Sequence, residues 1–254
     1  MWYTNNMFNL SHILFMIFSL IGLVATFILC KLLIKSQKWK DMILKIAAIL
    51  TVVLHYSPLY VGFFTTGVAE VYETMLFPLY PCNIAMWLLV IVAFWKNKQS
   101  KTFRVMATML FYLGVIGGTV GIVFNEIYGN NPTLASWHVL HGLLSHVTLL
   151  LGSIWLVVGG YFKIRVKNIF SIAFGLLGMV IIGWSMIGLY KLFGQEPVNC
   201  MFLLESPIPS MPFINTYLIG VGALAILFVI TAVYEQIALK KEDRWYTLLK
   251  KRSK

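Results

Sequence analysis

The chain is poor in charge. Only 11% of its 254 residues are Asp, Glu, Lys or Arg, against roughly 25% in soluble domains. An ordinary water-facing surface is thereby excluded. Acidic residues are the scarcer kind, nine against 20 basic ones. Cysteines number three (Cys30, Cys82, Cys200), too few and too scattered for a disulfide scaffold or a zinc ribbon. No long polar stretch leaves room for a separate soluble domain, and no repeat or low-complexity segment stands out. Residues 1–12 lack a basic n-region, and the first apolar run ends in lysines, not at a small-residue cleavage site. That run is expected to be a retained helix and not a secretory signal.

Apolar residues are abundant: 59% of the chain is hydrophobic and its mean hydropathy is +0.83. A helix needs about 20 apolar residues to cross a bilayer. Seven stretches qualify, at 13–34, 42–64, 75–95, 105–125, 137–162, 169–191 and 212–234. The expected fold is an all-α membrane protein, a seven-transmembrane-helix bundle forming one transmembrane domain over residues 1–254, with 235–254 as a basic tail.

The connections alternate in charge. The first holds Lys35, Lys38 and Lys40, the third Lys96, Lys98, Lys101 and Arg104, and the fifth Lys163, Arg165 and Lys167. The tail adds Lys240, Lys241, Arg244, Lys250, Lys251, Arg252 and Lys254. With Lys31 and Lys45 at helix ends, 19 of the 20 basic residues fall on one side, and only Lys191 on the other. Glu70, Glu73, Glu126, Glu196 and Glu205 lie opposite. The positive-inside rule then sets the N-terminus outside and the C-terminus in the cytoplasm of a multi-pass cell-membrane protein. The net charge of +11 follows from this topology. Nucleic acid is not an expected partner, because no soluble basic face exists to present to it. The bilayer is, and the tail is expected to rest on anionic headgroups. The one long external connection, 192–211, is apolar and proline-rich (Pro197, Pro207, Pro209, then Pro212), as suits a lid packed on the bundle.

Polar groups inside a membrane are costly, so each is a functional candidate. Counting about 1.5 Å per residue, His55, Cys82 and His146 fall at one level, roughly 10–14 Å below the outer ends of their spans. On the fifth span, SWHVLHGLLSHVTLLLG, the residues His138, His141, Gly142, Ser145 and His146 fall within an arc of about 140°. A cysteine beside a histidine is a nucleophile–base pair: the imidazole takes the thiol proton and the thiolate attacks an ester carbonyl. Phospholipid ester carbonyls lie near this depth, which suggests acyl transfer on a lipid. In FPLYPCN, Pro78 and Pro81 distort the helix and free backbone groups near the thiol, while Asn83 and Tyr80 are placed to donate to a developing oxyanion. Three alternatives stay open. Cys82 is a small buried hydrophobe, or it pairs with Cys200 in a disulfide, or the histidines hold a metal, although His-x-x-His lacks nearby carboxylates.

Three motifs resemble one family. LFPLYPCNIAMWLL (76–89) is similar to the Leu-Pro-Leu-His-Leu-Cys-Asn signature of the YwaF-like family of bacterial membrane proteins, which includes eukaryotic transmembrane protein 164. LSHVTLLLGSIWL (144–156) is similar to its histidine helix, and NCMFLLESPIPSMPF (199–213) to the element before its last span. The resemblance covers roughly residues 50–235, in order. It implies seven helices and, for the eukaryotic member, a cysteine-dependent acyltransferase moving fatty acyl chains between phospholipids. The nucleophile then corresponds to Cys82 and the base to His146. The chain departs from the pattern at Tyr80, where His is expected, and at Pro81, where an aliphatic residue is expected.

The leading expectation is a membrane-embedded cysteine-dependent acyltransferase moving acyl chains between phospholipids or lysophospholipids of the outer leaflet. Its catalytic residues are Cys82 and His146, supported by His141, His138, Asn83, Tyr80, His55 and Asn199, with no cofactor and no metal. The rivals are a non-enzymatic transporter or receptor with a polar external cavity, and a metal-dependent hydrolase built on His138, His141 and His146.

Overall fold

The computed structural model describes residues 8–68, 75, 77–206, 213 and 215–247. Among them all regular structure is helical, as a bilayer demands of a chain that must satisfy its own backbone. In order come α1 (Leu10–Leu33), α2 (Gln37–His55), α3 (Ser57–Thr66), α4 (Pro81–Phe94), α5 (Lys101–Val123), α6 (Glu126–Asn130), α7 (Trp137–Val158), α8 (Ile169–Leu192) and α9 (Thr216–Ala238). Asparagine or serine side chains start four of them: Asn9, Ser100, Asn125 and Asn215 each accept from an amide three residues on.

Five helical stretches are long and apolar enough to cross a membrane, at Leu10–Leu33, Lys101–Gly129, Trp137–Val158, Val166–Leu192 and Thr216–Ala238, and the bent pair α2–α3 makes a sixth. The expected second span is therefore broken. Pro58 has no amide hydrogen and cannot continue the ladder, so the chain bends by 46° between His55 and Ser57. Side chains then take up freed carbonyls. Ser57 donates to Leu54 at 2.7 Å and Tyr60 to Val53 at 2.5 Å.

Among the described residues of the expected third span, 75–95, residues 77–80 are not helical and the helix runs from Pro81 to Phe94. Its 14 residues reach about 21 Å at 1.5 Å per residue, short of a hydrocarbon core of about 30 Å. Glu70, Glu73, Pro207, Pro209, Pro212 and the tail residues Lys250, Lys251, Arg252 and Lys254 lie outside the described residues.

The chain falls into two compact units, residues 1–161 and 162–254. In the first, α7 is the hub against which α1 to α6 all pack. Small residues allow the close approach. A methyl group at Gly152 would stand 2.8 Å from Leu89 on α4 and 3.3 Å from Ala47 on α2. A polar seam joins α2 to α7: the Thr51 hydroxyl lies 2.9 Å from that of Thr148, which donates to the Ser145 carbonyl. At the Lys-rich end, Tyr161 and Gln37 both donate to Asp41, at 2.6 and 2.8 Å. α1 buries only His12 and Leu23, packs Phe15 against Tyr128, Val139 and Leu143, and leaves its other Leu, Ile and Val side chains exposed.

In the second unit α8 packs with α9 and with the turn at 200–202. α9 buries only Thr231 and Glu235. The Glu235 carboxylate accepts from the amides of Val166 at 2.7 Å and Trp245 at 2.9 Å. It fastens the chain on either side of the helix pair. Arg244 adds bonds to Leu239 and Gln236 at the end of α9.

Candidate functional site

Cys82 is the second residue of α4. Pro81 opens the helix, its fixed φ suited to the first position, and the Tyr80 amide donates to Asn83 Oδ1 at 3.0 Å. Asn83 itself is buried. The thiol is half-buried, and the Asn83 amide donates to the Tyr80 carbonyl at 3.0 Å. A helix N-terminus carries a partial positive charge. The proline break thus sets a thiol at the positive end of a short helix.

What lies across from Cys82 is glycine. α5 carries Gly114, Gly117, Gly118 and Gly121, and the helix is read here by its neighbours. A methyl group at Gly117 would stand 3.8 Å from Cys82 Cα and Cβ. One turn further along, a methyl group at Gly121 would overlap the His146 imidazole. At Gly118 it would press on the His146 carbonyl and Leu150, and at Gly114 on Ser153. Contacts that ascend α5 descend α7, so the two helices are antiparallel. Cys82 and His146 therefore meet one face of α5 at positions four residues apart, neighbours on a helix surface. Among the described residues no hydrogen bond joins the thiol to a histidine.

His146 Nδ1 lies 2.7 Å from the Gly142 carbonyl. A carbonyl only accepts, so Nδ1 carries the proton and the neutral ring keeps its lone pair on Nε2, the atom next to Gly121. Ser145 donates to the same carbonyl at 2.8 Å. Asn125 donates to the Gly121 carbonyl at 3.1 Å and stands beside Gly142, bracing both sides of the ring.

The histidine arc of α7 is divided between two neighbours. His146 faces α5, while His141 turns to the α2–α3 break, where the Leu54 carbonyl approaches it. His138 stands edge-on to His141 with ring centroids 6.1 Å apart. His55 ends α2 and packs against Tyr56, whose hydroxyl donates to the Met75 carbonyl at 2.7 Å. Trp137 donates to Ser57, pinning α7 to the break. Among the described residues no three His, Cys, Asp or Glu side chains are arranged to hold a metal ion.

In the second unit Asn199 is committed to its own turn. Its Oδ1 accepts from the Leu204 and Glu205 amides and its Nδ2 donates to the Glu205 carbonyl. Met201 and Phe202 adopt left-handed backbone with φ of 54° and 56°, a strained region for such side chains. Thr216 holds both carbonyls, at 2.6 and 2.7 Å, and Met201 and Leu203 seat on Gly183 of α8. This turn packs on α8. None of Cys30, Cys82 and Cys200 is joined in a disulfide.

Three features escape sequence reasoning. The glycine face of α5 does so although its small-xxx-small spacing is visible. His12 is fully buried, stacked on Tyr128 at 4.4 Å and bonded to the Ile122 carbonyl at 2.8 Å, yet it reads in sequence as a surface-end residue. Glu235 lies inside the last helix, beyond the boundary that hydropathy sets. No curated protein and no solved structure gives a significant match to the chain. A family model matches residues 7–234, most of the chain: the chain belongs to the TMEM164 family.

Proposed function

We propose that the protein is a membrane-embedded acyltransferase that moves fatty acyl chains between phospholipids and lysophospholipids by way of a Cys82 thioester. The observation that carries this reading is the shared glycine face of α5, which sets a thiol at a helix N-terminus one turn from an imidazole with a free Nε2 lone pair. Both groups act in one reaction if a carbonyl carbon reaches the sulfur. His146 Nε2 takes the thiol proton and the thiolate attacks the donor ester. The C–S bond forms, the ester C–O bond breaks, and the departing lysolipid oxygen takes the proton from His146. An acceptor hydroxyl then gives its proton to Nε2 and attacks the thioester. The C–S bond breaks, and the thiolate recovers the proton. In this reading the Cys82 amide, at the start of α4, donates to the oxyanion in both steps.

The topology belongs to the same reading: seven spans in one transmembrane domain, with α4 and the residues before it as the third, the N-terminus outside, the C-terminus in the cytoplasm of the cell membrane, and Cys82 in the outer leaflet. The basic asymmetry supports it. Asn83 and Tyr80 position the thiol, and Asn199 holds the external turn.

The test is an acyl-enzyme assay. Purified protein incubated with a mixed phospholipid extract should carry an acyl group that neutral hydroxylamine releases, and should redistribute chains among lysolipids by mass spectrometry. Cys82→Ser should carry none. His146→Ala should slow turnover about 10²-fold or more, and the two losses should not add. An acyl group equally present in both forms, or lipid turnover that survives Cys82→Ser, would overturn the assignment.

A further inference from the structure

His141 is 5% exposed, and neither of its ring nitrogens has a hydrogen-bond partner. The Leu54 and His138 carbonyls come near the ring without an aligned bond. A buried polar atom left unpaired is costly, and native structures keep such atoms where water, an ion or a ligand meets them. The ring sits at the α2–α3 break, and the ionisable groups that act on it are His138 and His55. Three imidazoles gathered there, with the two unpartnered ring nitrogens of His141 among them, complement an anion with several acceptor oxygens.

A lipid phosphate fits the position better than a free one. Tyr56, next to His55, reaches the Met75 carbonyl and stands 6.3 Å from Trp87 of α4. Met75 thus lies beside this cluster, and residues 77–81 immediately precede the thiol in the chain. Along α7, His141 lies five residues from His146, about 7 Å at 1.5 Å per residue. A glycerolipid carries its phosphate and its acyl ester one glycerol unit apart.

We propose that His141, together with His138 and His55, forms a subsite for the headgroup phosphate of a glycerolipid whose ester carbonyl lies at Cys82. This subsite rests on the acyl-transfer reading for its geometry, but it binds whether or not chemistry follows.

The test therefore uses lipids that cannot react. A dialkyl-ether phosphatidylglycerol and a dialkylglycerol are bound to the purified full chain and their retention is read by native mass spectrometry. Wild type should retain the ether phospholipid, with the dialkylglycerol bound weakly. His141→Gln should weaken phospholipid retention about tenfold or more and leave the dialkylglycerol unchanged. His138→Gln, at a half-buried position, should weaken it several-fold, which keeps the question open to measurement if His141→Gln melts early. Retention within twofold of wild type in both variants overturns the subsite. A His141-dependent signal with inorganic phosphate, alongside phospholipid retention that ignores His141, overturns the lipid assignment. A protein that retains the ether phospholipid through His141 but transfers no acyl chain would sink the acyl-transfer reading and leave the subsite standing.

Discussion

The His146 imidazole occupies the space that a side chain at Gly121 would fill, with its Nδ1 on the carbonyl of Gly142 in its own helix. Ring and glycine are therefore a matched pair across the α5–α7 interface. Neither residue can be read for function without the other.

Gly121→Ala should displace the ring and cost activity comparably to His146→Ala. Gly117→Ala should be milder, because its methyl group meets Cys82 at an ordinary contact distance of 3.8 Å. The check is lipid turnover in both variants beside their melting temperatures in detergent. If Gly121→Ala transfers acyl chains as fast as wild type, the ring position does not matter to the reaction.

Glu235→Ala strands the Val166 and Trp245 amides, which the carboxylate accepts from. The loss should exceed about 2 kcal/mol, since bonds to a charged acceptor are among the stronger ones. It should appear as faster proteolysis near Lys240 and Lys241 and an earlier thermal transition. An unchanged cleavage rate would mean that Arg244 alone holds the segment.

Thiol labelling should separate the three cysteines. Cys200 is fully buried, and burial pushes its thiol up to about 11. Raised above the usual thiol range, it stays protonated at neutral pH and should resist iodoacetamide until the pH approaches that value or the protein unfolds. Rapid modification of Cys200 at pH 7 would contradict the burial.

A reporter active only in the cytoplasm should work when fused after residue 240 or inserted at 97–103, and should be silent at 128–131. Activity at 128–131 would reverse the proposed orientation.

Five spans, and a sixth as the bent α2–α3 pair, are legible because their signal is additive: long Leu, Ile, Val and Phe runs register in hydropathy whatever packs around them. Breaks were less so. Pro78 and Pro81 point to a distorted third span, but how far the helix retreats depends on backbone pairing before Tyr80. Pro58 carries the same signal, yet residues 42–64 read as one continuous span because the apolar run hides the bend. Cys82, His141 and His146 stand out as reactive groups in an apolar setting. Their partners do not, because Gly121 meets His146 only through the antiparallel register of α5 and α7, and register is a property of two helices together. The histidine arc had the same limit. It predicts which residues share a side of α7, but a helix packed on every side has no single interior face.

The short α4 has a consequence for the bilayer itself. Trp87, Ile91 and Phe94 are exposed on one stripe of this helix, so lipid touches an element about 9 Å shorter than the hydrocarbon core, taking 14 residues at 1.5 Å each against about 30 Å. Such mismatch is met by thinning the surrounding bilayer or by polar backbone entering it. Either draws headgroups and ester carbonyls toward the midplane beside Pro81 and Cys82. Membrane thickness then becomes a determinant of how readily a lipid reaches the thiol. Chain length in the host membrane should set turnover as strongly as chain length in the substrate.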